Sequence, residues 1–252
     1  MDSNEITVDI CVDSLESAIA AERGGARRVE LCSDLLEGGI TPSAGLIATA
    51  RKKISIGLHV MIRPRGGDFF YSDDEFDIMR RDVLMAKQLG ADGVVFGILD
   101  LEANMDIQRT STLVDLARPL KVTYHRAFDM SADLFRSLEQ VREAGADRIL
   151  SSGGAQTALE GATTLRQLVE RAGEDLIIMA GGGINDQNVR VVLEKTGVRE
   201  IHVGLRTVVT SPVRYRNESI SMGTLEGNEY QRFVVLEDNV SRLIRAALAR
   251  DA

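Results

Sequence analysis

The segment Gly90-Ala91-Asp92-Gly93-Val94-Val95-Phe96-Gly97 joins a glycine turn to a run of β-branched and aromatic residues. Glycine just past a helix end adopts the left-handed conformation that stops the helix, and the apolar run after it is typical of a buried strand. The same pattern, glycine followed by alanine or valine and then, three residues on, by valine or isoleucine, recurs at Gly25, Gly145 and Gly197. The sequence therefore predicts four places at which a helix ends and a strand begins.

Short runs rich in β-branched residues alternate with longer stretches of helical periodicity along the whole sequence, and we count eight such pairs. The predicted strands are Ile6–Val12, Arg28–Cys32, Gly57–Ile62, Asp92–Gly97, Lys121–His125, Arg148–Leu150, Leu176–Ala180 and Glu200–Val203. Eight βα units close naturally into a (β/α)8 TIM barrel with a parallel eight-stranded core. An open doubly wound sheet is the alternative, but the first strand lacks the Gly-x-Gly-x-x-Gly turn of that fold.

The end of the chain is predicted to complete the outer ring of helices. Residues Tyr230 to Ala249 carry apolar side chains at helical spacing. The segment before them, Gly204 to Asn228, is long for a barrel connection and is a candidate lid. With four prolines and no linker rich in proline or serine, residues 1–252 are predicted to form one domain.

Composition and charge exclude several classes of function. The chain is 44% hydrophobic and 27% charged, as soluble globular proteins are, and its net charge of −8 opposes binding to nucleic acid. No apolar run approaches the ~20 residues that span a bilayer, and the acidic N-terminus lacks the plan of a signal peptide. We therefore expect a cytoplasmic protein, with neither a membrane nor a nucleic acid as partner, whose two cysteines stay reduced.

In a barrel, alternate residues of each strand face the lumen, and five of the predicted strands have one polar face. These polar faces comprise Thr7, Asp9 and Cys11; Arg28, Glu30 and Cys32; His59, Met61 and Arg63; Lys121, Thr123 and His125; and Glu200 and His202. So many ionisable groups are typical of an active or binding site, in which at least one of the three histidines acts as acid, base or ligand. The alternative is a layer of buried ion pairs that serves the fold alone.

Sulfur donors occur together on neighbouring strands. Cys11 and Cys32 lie at the C-terminal ends of the first and second strands, and Met61 follows in line on the third. Thiolate and thioether ligands suit a soft ion such as Cu(I) and suit Mg²⁺ or Ca²⁺ poorly. In the other interpretation both cysteines are small buried apolar residues, as free cysteines usually are. No CxxC-type spacing is present to decide between the two.

The loops after the strands indicate an anion site. Glycine turns follow the sixth and seventh strands and open onto helices, so their backbone amides can hold a phosphate or carboxylate. Arginines, whose guanidinium groups match such anions, occur in the loops after the third and fifth strands. The candidate anion-binding residues are Arg63, Arg65, Arg126, Gly153, Gly154, Gly182 and Gly183. Such glycines also occur in plain, tight βα connections.

Several motifs together resemble the CutC copper-homeostasis family. They are Glu30-Leu31-Cys32, the segment GGITPS at 38–43, MIRPRGG at 61–67, GADGVVFG at 90–97, TYHRAFD at 123–129 and Ser152-Gly153-Gly154. The match runs from the first strand to at least the seventh and is weakest beyond about Leu205. The resemblance implies a (β/α)8 barrel, a cytoplasmic homo-oligomer (dimer or tetramer) and a role in copper handling, with Cu(I) held at the positions of Cys11 and Cys32.

Two hypotheses for the function remain open. In the first, the protein binds Cu(I) through Cys11 and Cys32, with Met61 or His59 as a third donor. In the second, it is an enzyme that acts on a small anionic metabolite, phosphorylated or not, and the candidate anion-binding residues hold the substrate. Its general acid and base groups are then Glu30, His125, Asp129 and Glu200. The enzyme hypothesis gives a role to more of the polar lumen than copper binding does.

Overall fold

A computed structural model describes residues 6–222 and 229–249. Eight parallel strands form a closed barrel in the order of the sequence, and the last of them pairs with the first. They are β1 Thr7–Val12, β2 Arg28–Leu31, β3 Gly57–Met61, β4 Gly93–Phe96, β5 Lys121–Tyr124, β6 Arg148–Ser151, β7 Ile177–Gly181 and β8 Glu200–Val203. The predicted (β/α)8 barrel is thereby confirmed, with strand ends that differ from the sequence-based bounds by at most one residue.

Eight helices accompany the strands in the described part of the chain. They are α1 Leu15–Arg23, α2 Ala44–Lys53, α3 Asp73–Gln88, α4 Ile107–Ala117, α5 Leu134–Glu143, α6 Ala162–Ala172, α7 Val189–Thr196 and α8 Glu237–Leu248. Short polar residues start several of them: Ser72 accepts a hydrogen bond from the Glu75 amide, and the Glu75 side chain accepts one from the Ser72 amide. Such reciprocal capping satisfies amides that have no partner inside the helix. None of the helices described is long and apolar enough to cross a membrane.

Side chains along each strand alternate between the main hydrophobic core and the barrel lumen. Apolar residues of one parity, such as Ile10, Val29 and Leu58, are fully buried in the main hydrophobic cluster together with the helices. Residues of the other parity face the barrel lumen. The lumen therefore receives the polar side chains that the sequence places on the opposite face of each strand, as alternation along a strand requires.

The end of the chain differs from the prediction. Residues Gln231–Val235 form a strand, β10, which pairs antiparallel with β9, Arg206–Thr210, so the helix predicted to begin at Tyr230 is wrong over these residues. Only α8 continues the predicted helix. The Val235 amide donates to the Ser17 hydroxyl of α1, which ties the hairpin to the first helix.

Part of the candidate lid, Gly204 to Asn228, is thus the strand β9 rather than an unstructured connection, and residues 223–228 lie outside the described residues. The assignment of residues 1–252 to a single domain stays a prediction.

Candidate functional site

Two groups of polar side chains lie at different heights in the lumen. The ion-pair layer consists of Asp9, Arg28, Arg148 and Glu200. The thiol cluster consists of Cys11, Glu30 and Cys32. On β1 and β2 the thiol-cluster residues Cys11 and Glu30 come two positions after the ion-pair residues Asp9 and Arg28. The thiol cluster therefore lies nearer the C-terminal end of the barrel, where TIM-barrel sites are found.

The three members of the thiol cluster contact one another. The Cys11 and Cys32 sulfur atoms are 4.0 Å apart, and Glu30 Oε2 lies 3.4 Å from the first and 3.6 Å from the second. The potential ligand atoms of all three residues lie within 4.8 Å of one another, the kind of grouping that can hold a metal ion. Since a disulfide requires sulfur atoms about 2.05 Å apart, the two cysteines are free thiols in this structure.

Strand register and one glycine bring the two sulfur atoms together. Cys11 on β1 pairs directly with Glu30 on β2, and Cys32 lies two positions after Glu30, as the first residue beyond β2. The following loop folds back so that Gly39, at φ +92°, lies against Cys32. A Cβ atom at Gly39 would come 3.1 Å from the Cys32 sulfur, so the close approach of this loop requires a residue without a side chain.

Hydrogen bonds and burial separate the pKa values of the three groups. The hydrogen bond from Cys32 and, against the effect of burial, the contact with His202 lower the pKa of Cys11 to about 5. The same Cys11–Cys32 contact and burial raise the pKa of Cys32 well above its usual value. Burial raises the pKa of Glu30 to about 8. At neutral pH the cluster therefore holds a Cys11 thiolate beside a protonated Glu30 and a protonated Cys32.

His202 on β8 joins the two groups. Its Nδ1 lies 2.9 Å from Asp9 Oδ2 and its Nε2 lies 3.4 Å from Glu30 Oε2. Burial disfavours a charged imidazole, but the neighbouring Glu30 and the hydrogen bonds with Asp9 and Cys11 outweigh it and raise the pKa of His202 well above its usual value. An imidazolium thus faces the Cys11 thiolate.

The ion-pair layer is closed on itself. Arg148 holds both oxygens of Glu200, at 2.6 and 3.0 Å, and Arg28 donates to Glu200 Oε2 at 2.6 Å and contacts Asp9 at 3.2 Å. Burial opposes ionisation of Glu200, but its bonds with Arg148 and Arg28 lower its pKa. Burial and the nearby Arg28 charge lower the pKa of His59 to about 3. The structural alternative raised by the sequence, a buried ion-pair layer, therefore describes this height of the lumen.

The predicted anion-binding arginines of the third loop are bonded to the protein itself. Arg63 is buried and donates to the carbonyl oxygens of Glu37, Gly39 and Gly67. Arg65 bonds to the carboxylate of Glu75 at 2.6 Å and stacks on the Tyr71 ring. Both side chains therefore hold the loop after β3 in place in this structure.

The glycine loop after β6 holds a carboxylate of the chain itself. Asp129 accepts hydrogen bonds from the amides of Ser152 and Gly154 and from the Ser151 hydroxyl. Arg126 bonds to Asp129 at 2.7 Å. The predicted acid Asp129 thus accepts a hydrogen bond from the Gly154 amide, which was predicted to hold a ligand.

The other glycines of the predicted anion site lie beside these groups. Gly153 donates its amide to Ser151. A Cβ atom at Gly182 would come 3.4 Å from the Arg126 guanidinium, and one at Gly183 would come 2.9 Å from the Thr157 side chain. The loops after β6 and β7 therefore pack closely on each other and on Arg126.

His125 stands apart from the thiol cluster. It is buried against the Phe69 ring, its Nδ1 accepts a hydrogen bond from the Ala127 amide, and its Nε2 has no partner among the described residues. Burial, with the Arg63 charge, lowers its pKa to about 3, so the ring is neutral. Each of the predicted catalytic residues Glu30, His125, Asp129 and Glu200 has its own set of contacts, and the structure gathers no two of them into one direct contact.

The sequence did not assign Glu30, His202 and Asp9 to the metal site. Their shared strand face was visible in the alternation, and the adjacency of the first, second and eighth strands in a closed barrel was the signal that could have joined them to Cys11. Of the two predicted third donors, Met61 packs with Cys32 and Val95, whereas the pKa of His59 is lowered by its burial and by the charge of Arg28 in the ion-pair layer.

Comparisons with known proteins agree on one family. A model described as the CutC family matches residues 6–207. The mouse protein named copper homeostasis protein cutC homolog is 45% identical over 249 residues, which cover 98% of this chain and 91% of the mouse protein. The human protein of that name is 45% identical over 229 residues, covering 90% of this chain and 84% of the human protein.

Solved structures agree as well. A CutC protein of Streptococcus agalactiae matches with a TM-score of 0.74 at 35% identity, covering 78% of this chain and 97% of that chain. Thiamine phosphate pyrophosphorylase of Pyrococcus furiosus, at 20% identity and a TM-score of 0.57 over 97% of this chain and 96% of its own, shares the fold alone.

Proposed function

The chain belongs to the CutC family, and we propose that it takes part in copper homeostasis by binding Cu(I) between the thiolates of Cys11 and Cys32. The observation that carries the proposal is the pair of sulfur atoms 4.0 Å apart in the lumen, with the carboxyl group of Glu30 in contact with both. Copper is the cargo of this site, so its binding requires no chemistry on a substrate.

The donor set fits a soft monovalent ion. With metal–sulfur bonds of about 2.3 Å, two thiolates that flank one ion are at most about 4.6 Å apart, so the observed separation needs little adjustment. Thiolate sulfur selects Cu(I) over the hard ions that prefer oxygen. Met61, whose side chain packs against Cys32, is the candidate third donor.

The protonation states of the thiol cluster favour the binding of a cation. Cys11 is already a thiolate, so binding requires the loss of one further thiol proton, that of Cys32. The protonated Glu30 stays in contact with both sulfur atoms through its Oε2 atom. Two thiolates and one Cu(I) ion leave a single net negative charge, which the imidazolium of His202 offsets.

Location and assembly are further parts of the proposal. The dithiol stays free of a disulfide in a reducing compartment, which supports a cytoplasmic location. The homo-oligomer that the family resemblance implies is proposed with it. The enzymatic alternative, in which Arg63 and His125 serve an anionic substrate, stays a prediction that a metabolite-binding screen on Arg63→Ala and His125→Ala would test.

The test is an anaerobic titration of Cu(I) against a colorimetric chelator, with the wild-type chain beside Cys11→Ser and Cys32→Ser. We expect about one ion per chain, and a loss of affinity of about 100-fold or more in each variant, since a structural metal site gains about 3 kcal/mol per ligand. Val95→Ala is the matched control because Val95 packs in the same cluster but offers no donor. Equal, weak binding by the wild type and both serine variants would make the thiols packing residues.

A further inference from the structure

The two thiols differ in how a small molecule can reach them. Cys11 is partly exposed, whereas Cys32 is completely buried behind it. The two sulfur atoms are in contact at 4.0 Å. A reagent that enters the lumen therefore meets Cys11 first, and the product of that reaction lies directly beside a second, protected thiol. Dithiols that react with oxidants share this arrangement of an outer thiol and an inner one.

An imidazole and a carboxylate are aligned behind Cys11. Asp9, which is almost fully buried, holds His202 Nδ1 at 2.9 Å, and His202 Nε2 faces the thiol cluster, 3.4 Å from the same Glu30 oxygen that contacts Cys11. A nucleophilic cysteine is activated in the same way in enzymes, by a base that a third group orients. Copper binding uses the charge of His202, but it does not need Asp9 to hold the ring in a fixed orientation.

We propose that Cys11 and Cys32 also form a dithiol that reduces hydroperoxides, with Cys11 as the nucleophile and Cys32 as the resolving thiol. The Cys11 thiolate attacks the outer oxygen of the hydroperoxide, the O–O bond breaks, and the remaining alkoxide or hydroxide leaves with a proton as alcohol or water. Cys11 becomes a sulfenic acid. The Cys32 sulfur then attacks the Cys11 sulfur, the S–O bond breaks, and water leaves as the disulfide forms.

The electrons and the geometry both balance. Two thiols supply the two electrons that reduce one hydroperoxide, and a small dithiol reductant returns the disulfide to the starting state. The sulfur atoms must close from 4.0 Å to about 2.05 Å. Cys32 is the first residue after β2 and begins the loop that Gly38 and Gly39 turn, so the closure falls on a loop residue rather than inside the strand.

The site favours a small oxidant over a bulky electrophile. Cys11 shares the lumen with Glu30, Cys32 and Met61, and the loop at Gly39 is packed on the inner thiol. Hydrogen peroxide and short alkyl hydroperoxides are the class of substrate that can reach a sulfur atom in this setting. The proposal does not rest on copper binding, because both steps use the metal-free dithiol.

The test oxidises the reduced full-length chain with one equivalent of hydrogen peroxide in the presence of a copper chelator. We expect both thiols to disappear together, and intact mass and peptide mapping to show a Cys11–Cys32 disulfide within one chain. In Cys32→Ser the reaction stops at a sulfenic acid on Cys11. Because the neighbouring thiol acts at a high effective concentration, labelling by a millimolar sulfenic-acid probe is about 10-fold or more lower in the wild type than in Cys32→Ser.

Cys11→Ser provides the complementary result, in which Cys32 keeps its thiol under the same treatment. Wild-type protein that is oxidised only to sulfinic acid, that forms disulfides only between chains, or that reacts no faster than glutathione overturns the proposal. Peptide mapping of the wild type decides the question even if a serine variant fails to fold. Because copper is absent, failure here leaves the Cu(I) titration untouched, and failure of that titration leaves this result standing.

Discussion

The two heights of the barrel lumen use buried charge in different ways. In the ion-pair layer both oxygens of Glu200 are held by arginines, so each charge meets an opposite one. In the thiol cluster three groups, Cys11, Cys32 and His202, converge on the single oxygen atom Glu30 Oε2. A closed set of ion pairs fixes geometry, whereas a cluster that shares protons can exchange one of them for a cation. The ion-pair layer therefore serves the fold, and the thiol cluster is where the proposed function is located.

Breaking the ion-pair layer has the largest expected effect, and it acts on stability alone. Glu200→Gln leaves Arg28 and Arg148 buried without their shared carboxylate, which costs about 3–5 kcal/mol of unfolding free energy. Urea unfolding followed by circular dichroism measures the loss. The folded fraction of the variant should bind Cu(I) with the affinity of the wild type. A Glu200→Gln protein of normal stability would remove the distinction between the two heights of the lumen.

The second prediction concerns the thiol cluster and compares two replacements of Glu30. Because burial raises the pKa of Glu30 to about 8, the group is a neutral hydrogen-bond donor at pH 7, and Glu30→Gln retains a donor of the same shape. We expect Glu30→Gln to keep the Cu(I) affinity within about 10-fold, and Glu30→Leu to lose about 10–100-fold, as for other groups that support metal ligands. The competition titration is the measurement. Equal large losses in both variants would mean that the carboxylate itself is a ligand.

Much of the barrel was readable from the sequence because parallel strands and helices leave different periodicities. The alternation and the glycine turn at Gly90 and its three repeats located all eight strands. The hairpin at the end of the chain was missed because Phe233, Leu236 and Val240 fit a helical stripe. Residues 231–235 form a strand because they pair with β9, some twenty residues upstream, and no local sequence pattern indicates such a partner.

The candidate site was readable only in part. The neighbouring positions of Cys11 and Cys32 follow from strand order, which the sequence provides. The contacts of Arg63 and Asp129 do not follow from it, because they depend on where loop carbonyls and amides point. A glycine-rich loop beside an arginine predicts affinity for an anion, but the sequence does not say that Asp129 of the same chain already supplies one.

A smaller effect is expected from acid, and it belongs to the ion-pair layer. The pKa of His59 falls from 6.5 in the unfolded chain to about 3 in the fold. Between these two pH values the unfolded chain binds a proton that the folded chain does not, so the free energy of unfolding decreases as the pH is lowered. Between pH 7.5 and 5.5 this amounts to about 1.4 kcal/mol. The difference between the wild type and His59→Gln in urea unfolding at the two pH values isolates it. A variant with the same loss as the wild type would exclude His59 as its origin.

The smallest effect is predicted for an ion pair outside the barrel. Arg166 and Glu170 on α6 lie 3.1 Å apart, but their side chains are 65% and 64% exposed, so water screens the pair and both side chains lose freedom in forming it. Glu170→Gln should change the unfolding free energy by at most about 0.5 kcal/mol. Glu170→Gln makes the same chemical change as Glu200→Gln and is measured in the same way. The difference between the two losses of unfolding free energy is therefore the contribution of burial. If Glu170→Gln lost as much unfolding free energy as Glu200→Gln, the stability of the ion-pair layer would depend on the carboxylate charge itself rather than on its enclosure between two arginines.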